Sequence, residues 1–330
     1  MRLQVLYHFS TCNQSRHSWS NLFSDEGEIL ISALPLDIAT QLPGIEGNFA
    51  PGEGLLQLIQ LVPDSISTDK ETIQCKIGTA TTTEQFREWC LSPLGGGERW
   101  TLPFSVIIVE TTFGGTINSM CHGAGIGHQT LSDLVVEVEF VDPNGDLRTV
   151  KDPELLKAAS GALGLLGIVT AYTIRLNKMT YTSMRPVRVP MELAVPPPQE
   201  YIDASKVGDP KYHWIKQLIE QHSQATLDEA LDNFIRQAEN DYYAEWFWFP
   251  LQREVWVNTW NNTGNKNDAT NSPSDFEAFL EWLEEWFGQL LNEWPVWQLL
   301  EGDLQAKLSG FLTLLLFPNI KKEEPPSNVP

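Results

Sequence analysis

The sequence predicts an α+β protein of two domains, on three observations. Its 330 residues exceed one ordinary domain. Short β-branched runs broken by Gly, Pro and Asp fill the first 180 residues. A proline-rich stretch, 179–198, then separates them from a second half rich in helical patterns and tryptophan, with nine of the twelve Trp beyond residue 200. Hydrophobic residues at 42% and charged residues at 20% fit a packed globular chain.

Taken in order, 28–33 (EILISA), 55–61, 73–77 and 106–109 read as strands, by alternation or β-branching between turn-forming residues. Residues 83–90 (TEQFREWC) form a short amphipathic helix that Thr82 or Thr83 caps. Alternation over 134–141 (LVVEVEFV) gives a strand with one buried face. The DPNG turn at 142–145 and a returning strand at 147–150 follow. A helix opens at Asp152 or Pro153 and ends near Gly161, and 164–176 (GLLGIVTAYTIRL) is a long strand.

Beyond the proline-rich connection, helices are expected at 212–221 and 227–239. Two strands follow within 244–260 (AEWFWFPLQREVWVNTW), around a turn at 250–252. Residues 261–274 are a polar loop. Residues 275–291 are an acidic amphipathic helix with Phe276, Phe279, Leu280, Leu283, Phe287 and Leu290 on its apolar side. The tail 321–330 (KKEEPPSNVP) is expected to be disordered. The expected boundaries are thus 1–180, 181–320 and this tail.

Net charge is −21, with −14 of it in residues 191–330. Such a chain repels phosphate backbones, so nucleic acid and anionic membrane are not expected partners. The first residues, MRLQVLYHFSTCNQ, carry no signal-like apolar run, and no segment reaches the ~20 apolar residues of a membrane span. The expected location is cytoplasmic. Four cysteines without C-x-x-C spacing suggest neither a disulfide framework nor a zinc site, and the EWLEE run at 281–285 reads as a solvated helix face.

The chemistry concentrates in 113–141, FGGTINSMCHGAGIGHQTLSDLVVEVEFV. Gly114, Gly115, Gly123, Gly125 and Gly127 lie among Ser119, Cys121 and His122. Glycine admits positive φ and close backbone approach to a ligand, and the small polar residues supply donors. An ordinary glycine-rich loop has the same composition. Neither G-x-G-x-x-G nor G-x-x-x-x-G-K-[ST] is present in strand–turn–helix context, which excludes a Rossmann or P-loop reading.

Three motifs follow one another: GG-x-I-x-S-x-x-HG-x-G, then L-S-D-L-V-x-x-x-E-F-V-D-x-N-G, then A-x-G-A-L-G-L-L-G-I-V-T. In this order they resemble the flavin domain of the vanillyl-alcohol oxidase / p-cresol methylhydroxylase (PCMH) superfamily. Within it they are most similar to sugar-lactone (D-arabinono-1,4-lactone and L-gulonolactone) and alditol oxidases and their fungal relatives. The resemblance runs from about residue 16 to 176 and is firmest over 114–176.

What the resemblance implies is a PCMH-type FAD-binding domain of two α/β subdomains, followed by a cap that covers the substrate. The pyrophosphate loop falls on Arg16, His17, Ser18, Trp19 and Ser20, with His17 at the position that in many relatives bonds covalently to the flavin. Further FAD contacts fall on Gly114, Gly115, Ser119, Cys121, His122, Gly123 and Gly125. The backbone of Ile168 and Val169 falls near the adenine end. Cys121 stands where relatives usually carry Thr, replacing a hydroxyl by a weaker thiol donor. His128 and Asp133 are expected to shape the loop and start the next strand.

Two departures accompany the match. Asn13, Gln14 and Ser15 stand before Arg16–His17–Ser18 without the glycine that relatives place there. All six histidines lie at or before His222, so the histidine-containing closing segment of relatives has no counterpart. Both domains are therefore expected to be incomplete, the first at its N-terminus and the second at its C-terminus. The implied activity is oxidation of a CH–OH group of a sugar, sugar lactone or related alcohol, with O2 as acceptor and H2O2 as product. The alternatives are a catalytically impaired FAD-binding remnant and an acidic interaction protein on the same fold. In the second half, tryptophan faces suit sugar stacking, but packing alone explains most of them. Glu245 and Arg253 are candidates for orienting a hydroxylated substrate, or for surface ion pairs.

Overall fold

The computed structural model describes residues 3–6, 29–32, 55–91, 98–104, 111–123, 125–127, 130–206, 208–262 and 299–316. These form an α+β fold in two compact units. One comprises Met1–Gly123 and His128–Met179, the other Ala124–Gly127 and Thr180–Val329.

The first unit opens with two parallel strands, β1 (Leu3–Leu6) and β2 (Ile29–Ser32), in register from Leu3 opposite Ile29. Parallel neighbours cannot be joined by a tight hairpin, and residues 7–28 connect them. The larger sheet contains β3 (Ile59–Leu61), β4 (Thr72–Gly78), β6 (Val135–Val141), β7 (Leu147–Val150) and β8 (Ile168–Lys178), while β5 (Trp100–Thr101) pairs with the end of β8. Its order is β3-β4-β8-β6-β7, antiparallel throughout.

Alternation in β4 buries Ile73, Cys75 and Ile77 and turns Thr72, Gln74 and Lys76 outward, where Lys76 Nζ meets Glu139 of β6 at 2.6 Å. The middle strand β8 is buried over most of its length through Val169, Ala171, Tyr172, Thr173, Ile174 and Leu176. Each such large apolar side chain contributes roughly 1.5–3 kcal/mol on leaving water. Burial also pushes the Cys75 thiol well above its ordinary range and the Cys90 thiol up to about 12, so both behave as small hydrophobes.

Helix α1 (Thr83–Leu91) is capped by Thr82. Thr82 Oγ1 accepts from Gln85 N at 3.1 Å while Gln85 Oε1 accepts from Thr82 N at 2.9 Å, a reciprocal capping box. Helix α2 (Phe113–Asn118) carries the paired glycines. Helix α3 (Pro153–Ala159) has Asp152 as N-cap, accepting from Glu154 N and Leu155 N. The DPNG turn is closed by Asp142, whose carboxylate accepts from Asn144 N, Asp146 N and Arg148; the Arg148 bond is the main reason it stays below the usual carboxylate range.

Two expectations for this unit need correction. Residues 55–57 form a 3-10 turn, leaving only β3 as strand. The run from Gly164 is a turn until Ile168, because Gly164 and Gly167 take φ of 80° and 132°. Residues 106–109 lie outside the described residues.

In the second unit the proline-rich stretch is structured. It forms β9 (Thr182–Met184), β10 (Val187–Pro190) and a short helix α4 (Met191–Ala194). Pro190 closes β10 where its missing N–H is harmless. Helices α5 (Gln199–Lys206), α6 (His213–Ile219) and α7 (Gln224–Asn240) follow, then β11 (Tyr243–Phe249) and β12 (Glu254–Asn262). The sheet order is β10-β12-β11, with β9 also on β12. A further helix, α8, spans Gly302–Leu316, and neither it nor α5 was anticipated. The loop expected at 261–274 starts too early, because Asn261 and Asn262 still pair with Ser183 and Thr182 in β12; residues 263–274, the helix expected at 275–291 and the tail at 321–330 lie outside the described residues. Among the described residues, no helix is long and apolar enough to cross a membrane.

Candidate functional site

The glycine-rich segment is held at the end of β4. There the turn at 78–81 receives α2 on one side and the start of β8 on the other. Phe113 N donates to Thr81 O and Gly114 N to Thr79 O, both at 2.9 Å. Thr79 N donates to Thr170 O at 3.1 Å, and Thr79 Oγ1 to Val169 O at 3.0 Å. Gly78 must be glycine, since a Cβ there would sit 2.4 Å from the Leu56 carbonyl. Two of the three glycine-containing motifs, at 114 and 169, thus meet the same turn; the last glycine of the first motif, Gly125, falls in the segment Ala124–Gly127 that belongs to the second unit.

Helix α2 is short, and its two glycines lower its intrinsic propensity. Tertiary hydrogen bonds and full burial hold it instead. Its N-cap Thr112 accepts from Gly115 N at 3.2 Å. At its other end Cys121 N donates to Thr116 O and Met120 N to Ile117 O, a Schellman closure with Met120 at φ 55° in the position usually given to glycine. The amides of Gly114 and Gly115 are therefore engaged inside the protein, as is that of Phe113.

Past the helix, Ser119 is exposed; its Oγ donates to Gly115 O at 2.8 Å and lies 3.3 Å from Cys121 Sγ. His122 is exposed too, with Nδ1 2.9 Å from Gly123 O, so Nδ1 carries the proton and Nε2 faces away from that bond. Gly123 lies against the Phe104 ring, which a Cβ would strike at 2.8 Å. Gly125 takes φ 131°, and Ile168 is half-buried beside the buried Val169. Asp133 accepts from Thr130 N and Thr130 Oγ1, and Ser132 Oγ donates to Ile117 O, so this turn fastens α2 to the start of β6. Arg16, His17, Ser18, Trp19, Ser20 and His128 lie outside the described residues.

Whether these residues suit a bound cofactor is tested by what they leave unsatisfied. The threonine run from 79 to 83 and Thr112 and Thr116 are buried with their hydroxyls hydrogen-bonded. Asn118 differs. It is 5% exposed, its Nδ2 donates to Gly114 O at 2.9 Å, and its Oδ1 has no partner. Gln57, 6% exposed, leaves Nε2 likewise. A buried polar atom without a partner costs roughly 1–3 kcal/mol, and a ligand with matching groups relieves that cost. Both atoms are closed off from solvent, so they mark unsatisfied packing beside the turn. Sequence reasoning passed over both: Asn118 fell between the fixed residues of the first motif, and Gln57 lay within the run 55–61 read as a strand.

The second unit carries a separate polar and aromatic face. Across β11 and β12, Tyr243 stands opposite Trp260, Glu245 opposite Asn258 and Phe247 opposite Trp256, so these six share one side of the sheet. Tyr243 and Trp260 stack at 4.3 Å. Tyr243 OH donates to Glu245 Oε1 at 2.8 Å and Trp260 Nε1 to Asn258 Oδ1 at 2.9 Å. Burial raises the Glu245 carboxyl above its ordinary value, against the opposing hydrogen bonds from Tyr243 and Asn258. Trp246 lies on the other face, against Phe234. Arg253 sits at the hairpin turn with φ 57° and forms no ion pair with Glu245. Among the described residues, no three His, Cys, Asp or Glu side chains gather as a metal site.

No family model matches the sequence. Among solved structures, cholesterol oxidase from Brevibacterium sterolicum aligns at TM-score 0.45 and 13% identity over 79% of this chain and 45% of its own. A solvent-stable cholesterol oxidase aligns at 0.46 and 15%, over 78% and 45%. Among curated proteins, L-gulonolactone oxidase of Bos taurus is 27% identical over 221 residues. That match takes in 66% of this chain, and the chain spans 40% of the length of this relative.

Proposed function

We propose that this chain binds FAD in its first unit and belongs to an oxidase of CH–OH groups, with a sugar, sugar lactone or related alcohol as substrate. The observation that carries the reading is the convergence at one turn. Gly114 of the first motif and Val169 of the third are both hydrogen-bonded to Thr79, and the second motif supplies Ser132 to the same helix. The similarity to L-gulonolactone oxidase supports the substrate class, and the order of the three motifs supports a PCMH-type flavin fold.

The bound cofactor would supply acceptance of a hydride from the CH–OH carbon, with O2 as final acceptor and H2O2 as product. The chain's own residues hold and shield. The buried turn at 78–81 and helix α2 form a rigid floor, and Ser119, Cys121 and His122 present polar atoms at the exposed end of that helix. Arg16, His17, Ser18, Trp19 and Ser20 are the proposed pyrophosphate contacts, with His17 the proposed point of covalent attachment. Gly114, Gly115, Gly123, Gly125, Ile168 and Val169 remain proposed cofactor contacts, the first two only by the room a missing side chain leaves, because their amides and carbonyls are both engaged.

A second reading, a flavin-binding chain without turnover, is favoured by those engaged amides. The test is anaerobic mixing of the FAD-loaded chain with L-gulono-1,4-lactone and then air. Bleaching of the blue absorption band, its return in air and release of H2O2 are expected. A bound flavin that no sugar, lactone or polyol bleaches overturns the oxidase reading and leaves the second.

A further inference from the structure

On one face of the second unit's sheet a carboxylate stands between two aromatic pairs. Tyr243, Glu245 and Phe247 of β11 share that face, with Trp260, Asn258 and Trp256 of β12 opposite them. Successive pairs on a face are two residues, roughly 6.8 Å, apart, within the span of one small ring and its substituents. The other face is closed by the unit's own core, where Val255 and Val257 pack with Ala194 and Trp246 meets Phe234 of α7. On the Glu245 side, Glu245, Phe247 and Trp260 are only half-buried. Trp260 Nε1 donates to Asn258 Oδ1, which turns the Asn258 amide N–H to the Glu245 carboxylate, and Tyr243 OH donates to Glu245 Oε1 at 2.8 Å. Tyr243 and Asn258 are themselves closed off, at 1% and 3% exposure, so they fix the carboxylate in place. These two neutral donors use about two of the four acceptor positions a carboxylate has. Among the described residues, no charged group acts on Glu245. A carboxylate drawn partly out of water without a cation is costly, and packing gives no reason for one between two aromatic pairs.

We propose that Glu245 is a binding residue for a polyhydroxylated small molecule of the sugar, polyol or sugar-lactone class. Its remaining acceptor positions take hydroxyl protons of the ligand, and Phe247 and Trp260, on either side of it, take the C–H surface of the same molecule. Such ligands combine O–H edges with apolar C–H surface, and a fixed acceptor on an aromatic floor matches both. Tyr243 and Asn258 are positioning residues, acting through Glu245. The ligand class rests on the substrate reading above; the site itself lies wholly within the second unit and does not depend on a bound flavin.

The experiment is isothermal titration calorimetry of the full chain, with and without added FAD, for wild type, Glu245→Gln and Phe247→Leu. The ligands are L-gulono-1,4-lactone, xylitol and γ-butyrolactone, the last a lactone ring without hydroxyls. Wild type is expected to bind the two hydroxylated ligands and not γ-butyrolactone. Glu245→Gln keeps the size of the side chain and the bond from Tyr243. It is expected to bind roughly tenfold more weakly or worse, the loss of charge-assisted hydrogen bonds. Phe247→Leu, at a half-buried position, is expected to bind more weakly than wild type, and it carries the test if far-UV circular dichroism shows Glu245→Gln unfolded. Wild-type affinity in a folded Glu245→Gln, or in Phe247→Leu where that variant carries the test, overturns the assignment. So does γ-butyrolactone binding as tightly as the hydroxylated ligands, or a wild type that binds neither of these in either form. FAD uptake is read separately by absorption. A chain that takes up no FAD loses the flavin reading, and the FAD-free titration still decides this site.

Discussion

Gly114 and Thr79, far apart in the chain, are joined amide to carbonyl at 2.9 Å, and the Thr79 side chain continues the connection to Val169 at 3.0 Å. That one threonine ties helix α2 and strand β8 to the end of β4. Thr79→Val keeps the backbone bond and deletes the hydroxyl. It is expected to cost about 1–2 kcal/mol in urea unfolding, the usual worth of a buried hydrogen bond whose acceptor is left behind. A midpoint equal to wild type would show that the hydroxyl holds nothing.

The glycines separate by cause. At Gly78 a Cβ would meet Leu56 backbone at 2.4 Å, and at Gly167, with φ 132°, it would meet Val141 O at 2.2 Å. Backbone cannot yield as a side-chain tip does, so Gly78→Ala and Gly167→Ala are each expected to lose roughly 2–3 kcal/mol or more. Gly127 has open space around it and an ordinary φ. Gly127→Ala is expected to stay within about 0.5 kcal/mol. Chemical denaturation of the three variants side by side tests this; equal losses at all three would contradict it.

Much of this architecture was legible because local chemistry agreed with it. The Thr82–Gln85 capping box, the Asp152 cap and the DPNG turn each announce an element boundary through residues a few positions apart. The sequence misled where tertiary contacts overrode local signals. Prolines at 186 and 190 suggested a linker, yet β10 pairs with β12 from Val187 opposite Val257 to Pro190 opposite Glu254. Asn118 and Gln57 were illegible for another reason: an unsatisfied atom is a property of packing, which no spacing rule reports.

In the second unit, Glu192 is buried at 3% side-chain exposure and accepts from Gln221 Nε2 at 3.0 Å and His222 Nε2 at 2.9 Å. This contact fastens α4 to the turn before α7. Glu192→Ala leaves two donors without their acceptor and is expected to cost about 2–4 kcal/mol. Thermal melts followed by tryptophan fluorescence, dominated by the second half, measure it. A midpoint within a degree or so of wild type would contradict the contact's importance.

Glu245 sets a pH dependence. Its folded value is raised, chiefly by burial, above the ordinary 4.5. The folded state therefore holds this proton more tightly than the unfolded state does. The resulting stability is complete below the unfolded value and is lost as pH rises through the folded one. Glu245→Gln, which still accepts from Tyr243, removes that loss. The variant's melting temperature is expected to gain on wild type as pH rises from below 4.5 toward neutrality. A gap that stays constant with pH would contradict it.

The most direct test of the central claim is the visible absorption spectrum of the purified chain after incubation with FAD and removal of the excess, repeated on pellet and supernatant after acid precipitation. Bands of bound flavin are predicted. Their retention in the pellet, lost in His17→Ala, would place the covalent link, and their release would leave FAD bound without one. A colourless protein that takes up no FAD would contradict the account.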